Sequence, residues 1–208
     1  MEKPIFNIDS VCKSLPFDTY KVNTYYMDMV YSMYHGGTLI LDFDVLLSDG
    51  EPLQRGIEWD LHRRQSFILS ILSNYGQDDN SEKLGGFSLV KSGIRRKTAA
   101  GELVDVQEWL VIDGKQRLTT LLDFMDNKFP VVVNGHEYLF KELNGCEGLI
   151  NRVSFRADYT LASDIPADKR DEYLAQWFYR LNSTYAPQKD AHMERVKQYL
   201  PQGHGTNV

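Results

Sequence analysis

The sequence predicts an α+β fold, and three observations carry that expectation. Short β-branched, apolar stretches are interspersed with longer ones whose apolar residues recur at helical spacing. An Asn134-Gly135 pair separates two β-rich runs, the signature of a tight hairpin. The chain's 208 residues, 42% hydrophobic and 25% charged, can build one sizeable core without a disulfide or metal staple. We expect a single domain over residues 1–200, with an aromatic-rich N-terminal extension at 1–50 and a flexible tail at 201–208.

In chain order, Tyr26, Met29, Val30 and Met33 fall at helical spacing, and Gly36-Gly37 supplies the stop. Thr38 to Leu47 alternates Asp42 and Asp44 with Leu41, Phe43 and Val45, a strand pattern. Asp60 can cap a helix from Leu61 to about Tyr75, with Leu61, Ile68, Leu72 and Tyr75 on its apolar face. The polar run Gln77 to Glu82 reads as a loop. Phe87 to Val90 is a short strand, and Leu103 to Ile112 is the strand that returns after a basic excursion. That excursion places Arg95-Arg96-Lys97 at a hairpin tip. Pro130 to Val133 and Glu137 to Phe140 flank Asn134-Gly135 as a hairpin, and Arg152 to Phe155 is a further short strand. Pro166 opens a helix that buries Tyr173, Leu174, Trp177, Phe178 and Leu181, and Pro187 opens a last helix to about Leu200.

Composition narrows the function. The net charge is -6, from 23 basic and 29 acidic side chains, which argues against a protein living by nonspecific adhesion to nucleic acid. No apolar run approaches the roughly 18 residues of a membrane span. Cys12 and Cys146 are too few for a disulfide framework or a four-ligand zinc site, and they read as reduced thiols of a cytoplasmic protein. The five histidines are scattered, without metal-ligand spacing.

The densest chemistry lies in Glu108 to Leu122. An apolar strand reaches Asp113-Gly114, turns, and becomes a helix burying Leu118, Leu121, Leu122 and Met125. Gly114 permits a tight turn and close approach of a ligand. The first helical turn offers unpaired backbone N–H groups and a partial positive charge. Lys115 and Arg117 add two full charges, Gln116 can donate and accept hydrogen bonds, and Thr119 or Thr120 adds a hydroxyl. Together these make an anion site suited to phosphate. Asp113 beside a phosphate requires either a bridging Mg2+ or an internal Asp–Arg pair.

Asp-Gly-Lys-Gln-Arg-Leu-Thr-Thr, residues 113–120, resembles the Asp-Gly-Gln-Gln-Arg-Leu-Thr-Thr signature of the N-terminal domain of GmrSD-type modification-dependent restriction enzymes. Two more blocks match in order: Pro52-Leu53-Gln54-Arg55-Gly56-Ile57-Glu58-Trp59 with the helix after it, and Trp177-Phe178-Tyr179-Arg180-Leu181-Asn182-Ser183. The resemblance spans about Pro52 to Leu200 and implies a ParB/sulfiredoxin-like domain, a small mixed sheet with surrounding helices. It further implies a domain that binds a nucleoside triphosphate with Mg2+ and in several members hydrolyses it. Carried over by position, Asp113, Gln116 and Arg117 become the catalytic positions, with Asp113 holding the metal or orienting water. Gln54, Arg55, Gly114, Arg180 and Asn182 become ligand contacts, and the anion site read from the residues themselves adds Lys115 and Thr119. Arg180 has a rival role near a helix C-terminus, where a cation contributes about 0.3–1 kcal/mol without any ligand.

Three departures stand out: Lys115 replaces the first motif Gln, Leu53 replaces the aromatic before Gln-Arg, and the chain ends at Val208 without the C-terminal nuclease domain of longer members. Two other readings follow. A nuclease-less, acidic relative could be an inactive interaction protein that regulates or inhibits a restriction or defence complex, with the Tyr20–Tyr34 region as its contact surface. A ParB-like DNA-binding or nuclease domain would instead use Lys91 and Arg95-Arg96-Lys97 on phosphates.

Overall fold

The computed structural model describes residues 19–42, 45–73, 87–91, 95–97, 99–105, 108–144, 154–161, 169–184 and 191–199. Its elements are β1 (Thr19–Tyr26), α1 (Met27–His35), β2 (Leu39–Ile40), α2 (Leu61–Ser73), β3 (Phe87–Lys91), β4 (Arg95–Lys97), β5 (Leu103–Asp105), β6 (Trp109–Asp113), α3 (Lys115–Met125), β7 (Val131–Val133), β8 (His136–Tyr138), β9 (Ser154–Leu161), α4 (Arg170–Thr184) and α5 (Ala191–Tyr199). The fold is α+β. A five-stranded mixed sheet runs β1-β9-β3-β6-β2, beside the two-stranded ribbons β4-β5 and β7-β8. Strands β1 and β9 are antiparallel, as are β3 and β6, whereas β9–β3 and β6–β2 are parallel.

The uninterrupted apolar run of β6 follows from burial on both faces. Val111 joins a core with Leu39, Leu89 and the inner sides of α1, α2 and α3. Its neighbours Leu110 and Ile112 join a second core with Val90, Leu53, α4 and α5. Helices thus cover the sheet on both sides, and the C-terminal end of β6 delivers Asp113 to the start of α3.

Several local expectations hold in detail. The Asp60 carboxylate accepts the Arg63 N–H at 2.8 Å, capping α2. Asn134 and Gly135 take φ of 51° and 79°, the paired left-handed conformation of a type I′ hairpin turn. Leu118, Leu121, Leu122 and Met125 form the buried side of α3.

Others are corrected. The expected Thr38–Leu47 strand is regular only at Leu39–Ile40; Val45 and Leu47 then turn into the second core, joined by an isolated bridge from Leu46 to Pro52. Leu103 to Ile112 is two strands: β5 pairs with β4 as a local ribbon, and β6 enters the main sheet. Arg95-Arg96-Lys97 forms β4, and the turn lies at Ala99-Ala100. Tyr26, Met29 and Leu61 are exposed, because α1 buries Met27 and Val30 and α2 buries Ile68 and Ile71. The strand expected at Arg152–Phe155 runs Ser154–Leu161 among the described residues. Cys12, Cys146, Tyr75, the Gln77–Glu82 loop, Pro166, Pro187, Leu200 and the 201–208 tail lie outside the described residues. So do the side chains of Lys91, Arg95–Lys97 and Arg180.

Candidate functional site

Two loops meet where β6 ends. Gly114 caps α3 in the left-handed region, φ 96° and ψ 5°, with no side-chain cap bond and no acidic residue in the first helical turn. The helix therefore begins with its positive end unneutralised by a cap. Opposite it runs the Leu53–Trp59 segment that precedes α2. Between them lies a cleft of about 680 Å³ lined by Gln54, Arg55, Glu58, Trp59, Arg63, Ile112, Asp113, Gly114, Lys115, Gln116, Arg117, Phe178 and Asn182.

Gln54, Arg55, Asp113, Gly114, Lys115, Gln116, Arg117 and Asn182, all expected from sequence, are thus brought together. Thr119 is not: its side chain is buried in the body of α3, away from the lining. Arg180 lies within α4 rather than at its C-terminal residue, and its side chain is outside the described residues.

The polar groups divide into committed and exchangeable ones. Gln116 clamps the facing backbone, its amide donating to the Gly56 carbonyl at 2.6 Å and accepting from the Glu58 N–H at 3.1 Å. Lys115 is buried, donates to the Arg55 carbonyl at 3.0 Å and pairs with the Asp42 carboxylate. Gln54 is 6% exposed; its amide N–H donates to the Val111 carbonyl, and its own carbonyl oxygen is buried without a hydrogen-bond partner among the described residues. Asn182 donates back to the Phe178 carbonyl within α4 at 2.8 Å. Arg117, by contrast, reaches the half-exposed Asp113 carboxylate at 3.2 Å, the internal pair anticipated from sequence. Arg55 reaches the exposed Glu58 at 3.4 Å.

Glu58, Trp59, Arg63 and Phe178 belong to the lining although sequence reasoning gave them no role there. The Arg63 guanidinium lies 4.8 Å from the centre of the Trp59 ring, one helical turn away in sequence. That i, i+4 spacing was the available signal. Among the described residues no three His, Cys, Asp or Glu side chains cluster to hold a metal. Mg2+ fits here only as an ion carried by phosphate, which needs one or two carboxylates such as Asp113 and Glu58. Among the described residues no helix is long and apolar enough to cross a membrane.

A comparison with curated proteins and with solved structures returned no match. A family model described as GmrSD restriction endonuclease, N-terminal domain, matches residues 49–199. That span holds every lining residue of the cleft and well over half of the chain, so the chain belongs to the GmrSD N-terminal domain family and is thereby linked to restriction and phage-defence proteins.

Proposed function

We propose that the cleft binds the phosphate chain of a nucleoside triphosphate, carried in with Mg2+, as part of a restriction or defence activity. The observation that supports this best is the gathering of Arg55, Arg63 and Arg117 around the start of α3. Guanidinium groups take phosphate oxygens in pairs, and the helix end adds its partial charge. The Arg117–Asp113 and Arg55–Glu58 pairs are partly exposed, with the carboxylates about half open to solvent. A polyphosphate, with its higher charge, competes with these carboxylates for both guanidinium groups. Trp59 and Phe178 bring aromatic surface for a base to the same cleft. Mg2+ supplies neutralisation of phosphate charge beside Asp113. For hydrolysis, Arg117 stabilises the transferring phosphoryl group and Asp113 holds the metal or orients the attacking water. Gln116, engaged with the facing loop, sets the geometry of both.

Calorimetric titration of the four ribonucleoside triphosphates with Mg2+, into the wild type and Arg117→Ala, tests this. We expect saturable binding by the wild type and a loss of about tenfold or more in the variant, the scale of one charged hydrogen-bonding group. A wild type that binds none of the four rules the reading out.

The exposed Tyr26 and Met29 at the start of α1 favour a second reading, an interaction protein that keeps the fold without turnover. In that case Arg117→Ala matters little and substitutions at Tyr26 and Met29 abolish partner binding.

A further inference from the structure

We infer that Lys115 is a positioning residue rather than a phosphate ligand: its ammonium fastens the Arg55 loop to the start of α3 by donating to the Arg55 carbonyl, and is itself held by Asp42, a residue outside the family-matched stretch. The segment that precedes residues 49–199 then supports the cleft from outside its lining.

The Lys115 side chain is only 10% exposed, and a buried ammonium persists only with a charge partner and hydrogen-bond acceptors. Lys115 has both, in the Asp42 carboxylate and the Arg55 carbonyl at 3.0 Å. A phosphate would have to draw it away from the Arg55 carbonyl and from the Asp42 carboxylate, itself 80% exposed, together. The carbonyl contact holds the main chain of Arg55, whose side chain lines the cleft. The adjacent Gln116 grips Gly56 and Glu58. Two consecutive side chains of α3 thus fix four residues of the facing loop, Arg55, Gly56, Glu58 and Trp59, and with them the direction from which Arg55 reaches a ligand. Asp42 lies just beyond β2, whose Leu39 and Ile40 pair with Trp109 and Leu110 of β6. One sheet therefore anchors both the carboxylate and the turn that carries Lys115. Orientation set in advance in this way is what a bound anion otherwise has to order on arrival.

The binding arm of the test rests on the proposed nucleotide reading; the labelling arm does not. In the first, Asp42→Asn, Lys115→Met, the double variant and Asp42→Glu are titrated with the best-bound of the four triphosphates and Mg2+, well below each protein's thermal midpoint. Each neutralising single weakens binding about five- to tenfold, the double is no weaker than the worse single, and Asp42→Glu stays within about twofold of wild type. Tighter binding by Asp42→Asn, as a released phosphate-gripping ammonium would give, overturns the inference, as do singles whose effects multiply in the double. In the second arm the ligand-free full chain is acetylated at neutral pH and followed by mass spectrometry. Lys115 reacts far more slowly than the exposed Lys141, and Asp42→Asn removes that protection. Equal rates in the wild type overturn the inference. Protection of Lys115 that Asp42→Asn removes, in a wild type that binds no triphosphate, upholds the clasp while the nucleotide reading falls, and protection that survives Asp42→Asn overturns the inference.

Discussion

Gly114 is where a single hydrogen atom decides the geometry of the site. Its φ of 96° lies in the left-handed region, and a Cβ built there would stand 2.6 Å from the Cβ of Phe87 and 3.4 Å from Nη2 of Arg117. Phe87 is buried in the first core and cannot retreat without opening it. Gly114→Ala therefore combines about 1–2 kcal/mol for the backbone with displacement of Phe87, and we expect a loss of about 2–4 kcal/mol in urea unfolding. A loss under about 1 kcal/mol would show that β3 yields easily at this point. The need for Gly after Asp113 was legible from the strand–turn–helix pattern. The contact with Phe87 was not, because it depends on β3 and β6 pairing with a bulge between Ser88 and Leu89, next to the Ser88–Asp113 partners. Lys115 shows the same limit. Its charge suggested a phosphate ligand, and only the fold brings Asp42 and the Arg55 carbonyl to it.

At the scale of elements, α1 and the C-terminal end of α3 are joined by a polar network. Tyr31 donates to Asp126 at 2.8 Å, His35 lies 3.1 Å from the same oxygen, and Lys128 spans Asp123 and Asp126 at 2.7 and 3.6 Å. Arg64 of α2 closes the group on Asp123. The hydrogen bond to Asp126 raises the Tyr31 pKa, with burial adding to it, and the bond to Asp123 raises that of Lys128. A pKa raised in the folded state means stability present below the unfolded value and lost as pH climbs through the folded one. The network's contribution is thus intact at neutral pH and fades above about pH 10. Urea midpoints should fall steeply there in the wild type, and less steeply in a Tyr31→Phe, Lys128→Met double variant that starts lower. An identical alkaline decline in both would remove these two groups as its source. The helices behind this network were readable from periodicity and caps, as Asp60 and the Asn134-Gly135 turn show. The strands were less so. Leu103 to Ile112 reads as one apolar segment, yet its halves pair with different partners, a choice made by sheet assembly rather than by local propensity.

Across the whole molecule, the family-matched stretch shares its sheet and its cores with the segment before it. The cleft's motif residues could be named from sequence, since Gln54-Arg55 and Asp113 to Arg117 lie within recognisable blocks. What the blocks leave out is the support beneath them. Before residue 49 the chain supplies two of the five strands of the central sheet, all of α1, and the buried Met27, Val30, Leu39, Leu41, Val45 and Leu47. Burial of side chains of this size is worth about 1.5–3 kcal/mol each before ordering entropy is counted. Their sum is comparable with the whole stability of a domain, about 5–15 kcal/mol. Removal of the segment also strips β9 of its antiparallel partner from Thr19 to Tyr26, which leaves an open edge beside β3. A fragment of residues 49–199 should accordingly show no cooperative thermal transition by circular dichroism, and should associate through its bared sheet edge. The full chain should melt in a single transition. A fragment that melted as cooperatively as the full chain would mean that the N-terminal strand and helix only decorate a core complete without them. In that event the Asp42 anchor would be a local tether and not part of the frame that shapes the cleft.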